Sequence, residues 1–174
     1  MILTRQATPE DAEAALGFYH DLIDKLKESP YRPTWTRGVY PLLSDLEAAI
    51  RREELFLAVD SDAVVGAVIV TDRQDEAYGR MAWGVDTARV AVLHLIAAGP
   101  DRRGEGIGRL LLQTAEEVAR RRGAEVIRLD TLPHNAPARH LYESYGFRYL
   151  GELKIYYPSA GTIPFAMYEY PLVR

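Results

Sequence analysis

Residues 90–108 read VAVLHLIAAGPDRRGEGIG, and this stretch carries the strongest structural signal in the sequence. Its first part, Val90–Ala98, is an almost continuous apolar run, which is typical of a strand buried on both faces. Gly99-Pro100 ends the strand, and the amphipathic pattern that follows predicts a helix from about Ile107 to Arg122. Three glycines near the start of this helix allow backbone N–H groups to point into one concavity at the positive end of its dipole. The stretch therefore predicts a strand, an anion-binding loop and a helix in succession.

The segments on either side predict a single sheet. Antiparallel strands come first, a strand-helix-strand-helix unit follows, and antiparallel strands come last. This order indicates a single α/β domain over residues 1–174, with a mixed, mostly antiparallel sheet flanked by helices on both faces. The further strands are predicted at Ile2–Arg5, Leu55–Val59, Val64–Val70, Val126–Leu129, Tyr149–Tyr156 and Phe165–Leu172.

Three more helices are predicted from their start signals and apolar spacing. The first follows Thr8 as N-cap and carries one buried stripe; the second starts with a capping box formed by Ser44 and Glu47 and runs through Arg52; the last extends from Asn135 or Ala136 to Tyr145. The stripe of the first helix consists of Ala12, Leu16, Tyr19, Ile23 and Leu26.

Composition excludes several classes of protein. The formal net charge is −4, so the chain has no global attraction for nucleic acid or anionic membranes, and a polyanion must be held by local donors. The absence of cysteine excludes disulfides, thiolate metal sites and a cysteine nucleophile. No metal is predicted, because His20, His134 and His140 show no ligand spacing. Neither a signal peptide nor a membrane-spanning run is evident, so a cytoplasmic protein is expected.

Other phosphate loops fit the glycine-rich segment poorly. A Walker loop requires Gly-Lys-Ser/Thr, which is absent. The dinucleotide fingerprint requires a third glycine where Arg109 stands, although Asp130 lies at a suitable distance for a ribose contact. Only 44 residues follow Asp130, too few for the rest of a doubly wound domain. A dinucleotide-dependent oxidoreductase and a plain connecting turn therefore remain as weaker alternatives.

Two motifs resemble those of the GNAT superfamily of N-acetyltransferases. Arg103–Gly108 is similar to its Q/R-x-x-G-x-G/A motif, and Leu95–Pro100 resembles its pantetheine-binding strand. Asn135–Phe147 is similar to a second signature, N-x-x-A-x-x-L-Y-x-x-x-G-F. The resemblance is close from Val90 to Phe147 and loose elsewhere. It implies a GNAT-like fold and an N-acetyltransferase that uses acetyl-CoA.

The resemblance also implies roles for residues. The backbone of Ile96, Ala97 and Ala98 would pair with the pantetheine arm, while Asn135 and Ala138 would contact the arm or the acetyl end. Tyr142 would lie beside the thioester sulfur and protonate the departing thiolate. Without the motif, its position on the inner face of the last helix favours a core aromatic instead. The pyrophosphate would be held by the loop made of Arg102, Arg103, Gly104, Glu105, Gly106, Ile107, Gly108 and Arg109.

The catalytic base and the acceptor are less clearly marked. His94 is a candidate base, expected on the same face as Ile96, although a buried histidine bonded to a backbone carbonyl is the commoner arrangement. Glu76, Asp86 and Glu152 are weaker candidates. No G-x-S-x-G elbow is present, which favours direct attack by the amine in a ternary complex. A non-catalytic acyl-CoA sensor on the same fold is the alternative.

The acceptor is expected to be a primary amine on a small molecule or a peptide. Its specificity should come from aromatic segments that have no regular pattern, and these could equally form a homodimer interface. They are Tyr31–Tyr40, Asp75–Trp83 and the C-terminal residues Tyr156, Tyr157 and Tyr168.

Overall fold

A computed structural model describes residues 1–172 and contains a seven-stranded mixed sheet with four α-helices. The strand order is β1-β2-β3-β4-β5-β7-β6, and only β4 and β5 pair in parallel. The strands are β1 Ile2–Gln6, β2 Leu55–Asp60, β3 Ala63–Thr71, β4 Val90–Ala98, β5 Val126–Thr131, β6 Arg148–Tyr157 and β7 Gly161–Pro171. The helices are α1 Ala12–Leu26, α2 Leu43–Arg51, α3 Ile107–Arg121 and α4 Ala136–Tyr145. The predicted mixed, mostly antiparallel sheet is confirmed.

Alternating side chains divide the core between the two faces of the sheet. On one face, β2 and β3 contribute Phe56 and Val68 to a cluster with α3 and α4. On the other face, Leu57 and Ala67 of the same strands pack under α1 and α2. Helices therefore cover both faces, as predicted. None of the helices formed by residues 1–172 combines the length and the apolarity needed to cross a bilayer.

Two local predictions are corrected. Helix α2 starts at Leu43, and the amide of Leu42 donates to Oδ2 of Asp45 (2.7 Å), so the predicted capping box of Ser44 and Glu47 does not form. The buried face of α1 is also rotated. Ala12 and Tyr19 are buried as expected, together with Ala15, Phe18 and Leu22, whereas Leu16, Ile23 and Leu26 are half-buried at the edge of this face.

Strand β4 contains a bulge that changes its faces. Leu95 and Ile96 together lie opposite Val68 of β3, because Ala67 pairs with Ala97 while Ile69 pairs with His94. Leu95 adopts a left-handed backbone conformation (φ 50°), which is costly for a residue with a side chain. The extra residue shifts the alternation, because a β-strand turns successive side chains to opposite faces.

The bulge places His94 and Ile96 on opposite faces of the sheet. Before the bulge, Ala91 and Leu93 face α3, and after it Ile96 does so. His94 lies on the same face of the strand as Val90, whose side chain packs on the face of the sheet opposite α3. The expectation that His94 and Ile96 share a face is therefore wrong, since it assumed an unbroken alternation.

Strands β4 and β5 separate shortly before the bulge. Their pairing extends from Val90 and Val126 only as far as Val92 and Arg128, although β4 continues to Ala98. The edge of β4 that faces β5 is consequently free of strand pairing over its second half. A gap opens there between two strands in the middle of the sheet.

Candidate functional site

The glycine-rich loop presents unsatisfied backbone donors. Gly104 and Gly106 have φ values of 82° and 76°, which favour glycine, and Gly106 is the N-cap of α3. The amide of Leu110 is the first in α3 to find an acceptor, the carbonyl of Gly106 (3.0 Å). Within residues 1–172, the amides of Gly104 and of residues 106–109 donate to no protein group. Such donors at a helix N-terminus form an anion-binding site.

The geometry of this loop fits a pyrophosphate. A Cβ at Gly104 or at Gly106 would meet no atom within 4 Å, so there is open space beside both residues. At Gly108, by contrast, a Cβ would lie 2.7 Å from Cδ2 of Leu141. This third glycine therefore lets α3 and α4 approach each other. The loop thus offers what a phosphate-bearing cofactor needs, namely open space and free donors.

The three arginines of the loop make different contacts. The guanidinium of Arg102 bonds to Asp60 (2.8 Å) and to Glu105 (2.7 Å), and these carboxylates raise the pKa of Arg102 while Arg102 lowers the pKa of Glu105. The amide of Glu105 also donates to the carbonyl of Arg102 (3.4 Å). The side chains of Arg102 and Glu105 therefore satisfy each other, and the assignment of these two residues to the pyrophosphate stays a prediction.

The other two arginines of the loop, Arg103 and Arg109, are available to contact a ligand. Arg103 is exposed and lines a cavity beside the loop. Arg109 stacks over the ring of Tyr145, with its Cζ 5.3 Å from the ring centroid. Both lie at the positive end of α3 and add positive charge to the backbone donors.

The gap between β4 and β5 leads into two adjoining cavities. The smaller, about 230 Å³, lies beside the loop, and the larger, about 320 Å³, lies deeper between the strands. Both are lined by Pro33, Trp35, Ile96, Asn135, Ala138 and Tyr142, while Ala97, Ala98, Arg103 and Gly108 line only the smaller one. The structure therefore brings most of the predicted site residues into one continuous groove.

Helix α4 places Tyr142 where the two cavities meet. Asn135 caps this helix by accepting a hydrogen bond from the amide of Ala138 (3.2 Å). Tyr142 is 4% exposed, and its hydroxyl has no hydrogen-bond partner within residues 1–172. Burial raises the pKa of this hydroxyl, and the charge of Asp130 adds to the effect. Tyr142 is therefore protonated at neutral pH and can donate into the groove.

His94 lines the larger cavity from β4. Burial lowers the pKa of its imidazole, against the opposing effects of Asp130 and Asp75. The imidazole makes no hydrogen bond to the protein in the described chain, so the alternative of a histidine bonded to a backbone carbonyl does not apply. The weaker base candidates Glu76, Asp86 and Glu152 do not line the cavity.

Asp130 also lines the larger cavity, which the sequence did not predict. It lies near the end of β5, across the gap from His94, and its Oδ2 accepts a hydrogen bond from the hydroxyl of Tyr78 (2.6 Å). Burial raises its pKa. One signal was available: the carboxyl ends of two adjacent parallel strands meet at one edge, where ligands commonly bind.

The aromatic segments are partly in the groove. Trp35, Tyr40, Tyr156 and Tyr157 line the larger cavity, and Tyr31 lines the smaller. Tyr168 lies on the α4 face, where its hydroxyl donates to Glu143 (2.7 Å), and Trp83 packs under the guanidinium of Arg128. Neither of these two lines a cavity of the groove.

The chain belongs to the acetyltransferase (GNAT) family, whose sequence profile matches residues 10–147. It is similar to N-alpha-acetyltransferase 30 of Schizosaccharomyces pombe, with 35% identity over 67% of this chain and 71% of that protein. It is also similar to streptothricin acetyltransferase of Streptomyces lavendulae, with 30% identity over 63% of this chain; the match spans 58% of that relative's length.

A solved structure has the same fold. The acetyltransferase yncA of Salmonella typhimurium, determined with its cofactor acetyl-CoA, superposes with a TM-score of 0.73 over all of this chain and 95% of its own, at 18% identity. Acetyl-CoA is the acyl donor used by the family. The resemblance inferred from the two sequence motifs is confirmed.

Proposed function

We propose that this protein is an acetyl-CoA-dependent N-acetyltransferase that passes an acetyl group to a primary amine by direct attack in a ternary complex. The observation that supports this most is that free amide donors, an unpaired strand edge and an unpartnered tyrosine hydroxyl share one groove. Family membership and the absence of a G-x-S-x-G elbow agree with it.

Binding of the cofactor is assigned to backbone groups above all. The amides of Gly104 and of residues 106–109 would hold the pyrophosphate, with Arg103 and Arg109 adding charge. The free edge of β4 at Ile96–Ala98 would pair with the amide groups of the pantetheine arm as an added strand does. Asn135 and Ala138 line the groove farther along, towards Tyr142.

Bound acetyl-CoA supplies a thioester carbonyl that an amine can attack. Tyr142 holds a proton on its hydroxyl and would give it to the sulfur as negative charge develops there. His94, kept neutral by burial, would accept the proton that the amine loses. A backbone N–H on the bulged part of β4 would stabilise the oxyanion.

The acceptor is assigned only as an amine, on a small molecule or a peptide. The names of the relatives include both kinds, a protein N-alpha-acetyltransferase and an enzyme for streptothricin. We propose neither nucleic acid nor a membrane as a partner, and a cytoplasmic location for the enzyme. A homodimer through the exposed aromatic residues of β6 is compatible with it.

Release of free thiol from acetyl-CoA, measured over a panel of primary amines, tests the activity. Thermal unfolding tests the cofactor: at about a hundredfold excess over its Kd, a ligand adds about 2.7 kcal/mol, which is about 5 to 11 °C for a domain of this size. A shift without turnover on any amine would indicate an acyl-CoA sensor. No shift with acetyl-CoA, or a larger one with NAD, would contradict the assignment.

A further inference from the structure

The larger cavity is lined by acidic side chains. Its lining includes two carboxylates, Asp75 and Asp130, together with the neutral imidazole of His94, but neither lysine nor arginine among residues 1–172. The rest of its wall is largely aromatic and is made by Trp35, Tyr40, Tyr156, Tyr157 and Phe165. Carboxylates and aromatic faces attract an ammonium group, whereas a bound carboxylate would find no counter-charge.

Asp130 is held with one oxygen free. The hydroxyl of Tyr78, itself 1% exposed, donates to Oδ2, while Oδ1 makes no hydrogen bond to the protein within the described residues. The unpartnered hydroxyl of Tyr142, on a side chain that is 96% buried, points into the same cavity. Asp130, with its free carboxylate oxygen, and the expected proton donor thus line the same cavity.

Two segments that line this cavity are hydrogen-bonded to each other. Indole Nε1 of Trp35 donates to the hydroxyl of Tyr157 (3.1 Å), and the hydroxyl of Ser159 donates to the carbonyl of Thr34. The chain before α2 is thereby tied to the turn between β6 and β7. The cavity is partly open to solvent, and its volume, about 320 Å³, is at the lower end of the range for small-molecule sites. A compact acceptor fits this space better than an extended peptide.

We propose that Asp130 binds the ammonium group of the acceptor, which gives a proton to His94 and so becomes the neutral amine that attacks the thioester, and that the acceptors of this protein are compact amines that carry no carboxylate. Asp130 is then a specificity-determining residue that contacts substrate, and Tyr78 is a positioning residue that fixes its orientation. The inference rests on the proposed acetyltransferase function and adds the substrate class to it.

Two matched pairs of amines test the proposal through their kcat/KM values with acetyl-CoA. Phenethylamine is compared with phenylalanine, and putrescine with 4-aminobutyrate; a short peptide with a free N-terminus is added. In each pair we expect a preference of about 100-fold or more for the member without a carboxylate, because an anion there stays unpaired next to Asp130.

Substitutions then assign the preference to Asp130. Asp130→Asn should raise the KM for phenethylamine and lower its kcat/KM by about 30-fold or more, the usual loss when one partner of a buried charge pair is removed. The preference over phenylalanine should then fall below about tenfold. Tyr78→Phe should reduce the preference less, mainly through KM. Asp62→Asn, an exposed carboxylate in the turn between β2 and β3, removes the same charge and should change nothing.

The outcomes separate the two proposals. If no amine is acetylated although acetyl-CoA binds, the proposed function is wrong, and this inference with it. If amines are acetylated but phenylalanine reacts as fast as phenethylamine, or Asp130→Asn keeps the full preference, only the inference is overturned. Acetylation of the peptide alone overturns the assignment to compact amines. Should Asp130→Asn not fold, an unchanged preference and KM in Tyr78→Phe overturn the role of this carboxylate.

Discussion

The hydroxyl of Tyr19, on α1, donates a 2.6 Å hydrogen bond to the carbonyl oxygen of Leu95 in the bulge of β4. Tyr19 is fully buried, and Leu95 is the residue of the bulge with a left-handed backbone conformation. The bond satisfies a carbonyl that the bulge turns away from regular strand pairing. Helix α1 therefore helps to hold β4 in the shape that the cofactor would need.

Tyr19→Phe should remove the hydrogen bond by which α1 stabilises the bulge of β4. The substitution keeps the ring but leaves the Leu95 carbonyl without its partner, which costs about 1–3 kcal/mol when the acceptor is buried. The melting temperature should fall by about 2 to 4 °C for each kcal/mol. Because the bulge shapes the groove, the Kd for acetyl-CoA should rise as well. Thermal unfolding and titration calorimetry measure the two effects; a drop in stability with unchanged affinity would mean that the bulge keeps its form without Tyr19.

Gly106→Asp tests the anion-binding loop. Gly106 has a φ of 76° and open space where a Cβ would be, so an aspartate there can be accommodated and adds a negative charge next to the residues with free amides. Its negative charge would compete with the phosphates for those donors, and binding of acetyl-CoA should be abolished while the fold survives. The readout is the thermal shift induced by acetyl-CoA.

Gly123→Asp is a matched control for that substitution. Gly123 follows α3 with a φ of 77° and equally open space, so an aspartate there carries the same backbone strain and the same charge. It is at the opposite end of the helix, where a negative charge is unfavourable and no phosphate is expected. Stability should fall in both variants but affinity only in Gly106→Asp. Equal affinities in the two variants would refute the assignment of the loop.

The parts that sequence could predict are those with a strong local cause. Gly104 and Gly106 predict a loop with positive φ values, and the apolar run of β4 predicts a buried strand. The bulge at Leu95 has no such signal, because neither glycine nor proline marks it and Tyr19, distant in sequence, stabilises it. The face of His94 was accordingly predicted wrongly. The contact between Asp130 and Tyr78 likewise joins distant segments that only the folded sheet brings together.

The pH dependence of kcat in His94→Gln tests whether His94 is the catalytic base. Burial lowers the pKa of His94, so the neutral form that can accept a proton persists below pH 6.5, the ordinary value. The acid limb of kcat at saturating amine should therefore lie below pH 6.5, with activity lost as the pH falls through the pKa of His94. Glutamine cannot titrate, so the variant should lose this limb and about 10²- to 10⁴-fold in kcat. An unchanged limb in His94→Gln would assign it to another group, with Asp130 the nearest candidate.

Tyr142→Phe tests the proton donor most directly. The hydroxyl has no protein partner in residues 1–172, so its removal breaks no bond, and the packing of the ring against Phe147 and Tyr168 is kept. Stability and acetyl-CoA affinity should hardly change. The chemical step should slow by about 10²- to 10⁴-fold, since a phenol kept protonated by burial assists only when charge develops on the sulfur.

Single-turnover rates at saturating acetyl-CoA are the appropriate measurement for Tyr142→Phe, because slow product release would hide a loss in the chemical step. Tyr145→Phe is the matched control on the same helix: its hydroxyl donates to Glu116 (2.6 Å), outside the groove. That variant should lose stability, because Glu116 loses a hydrogen bond, and keep the parent rate. If Tyr142→Phe also keeps the parent rate, Tyr142 is a core aromatic, and the thiolate must take its proton from water or from another group in the groove.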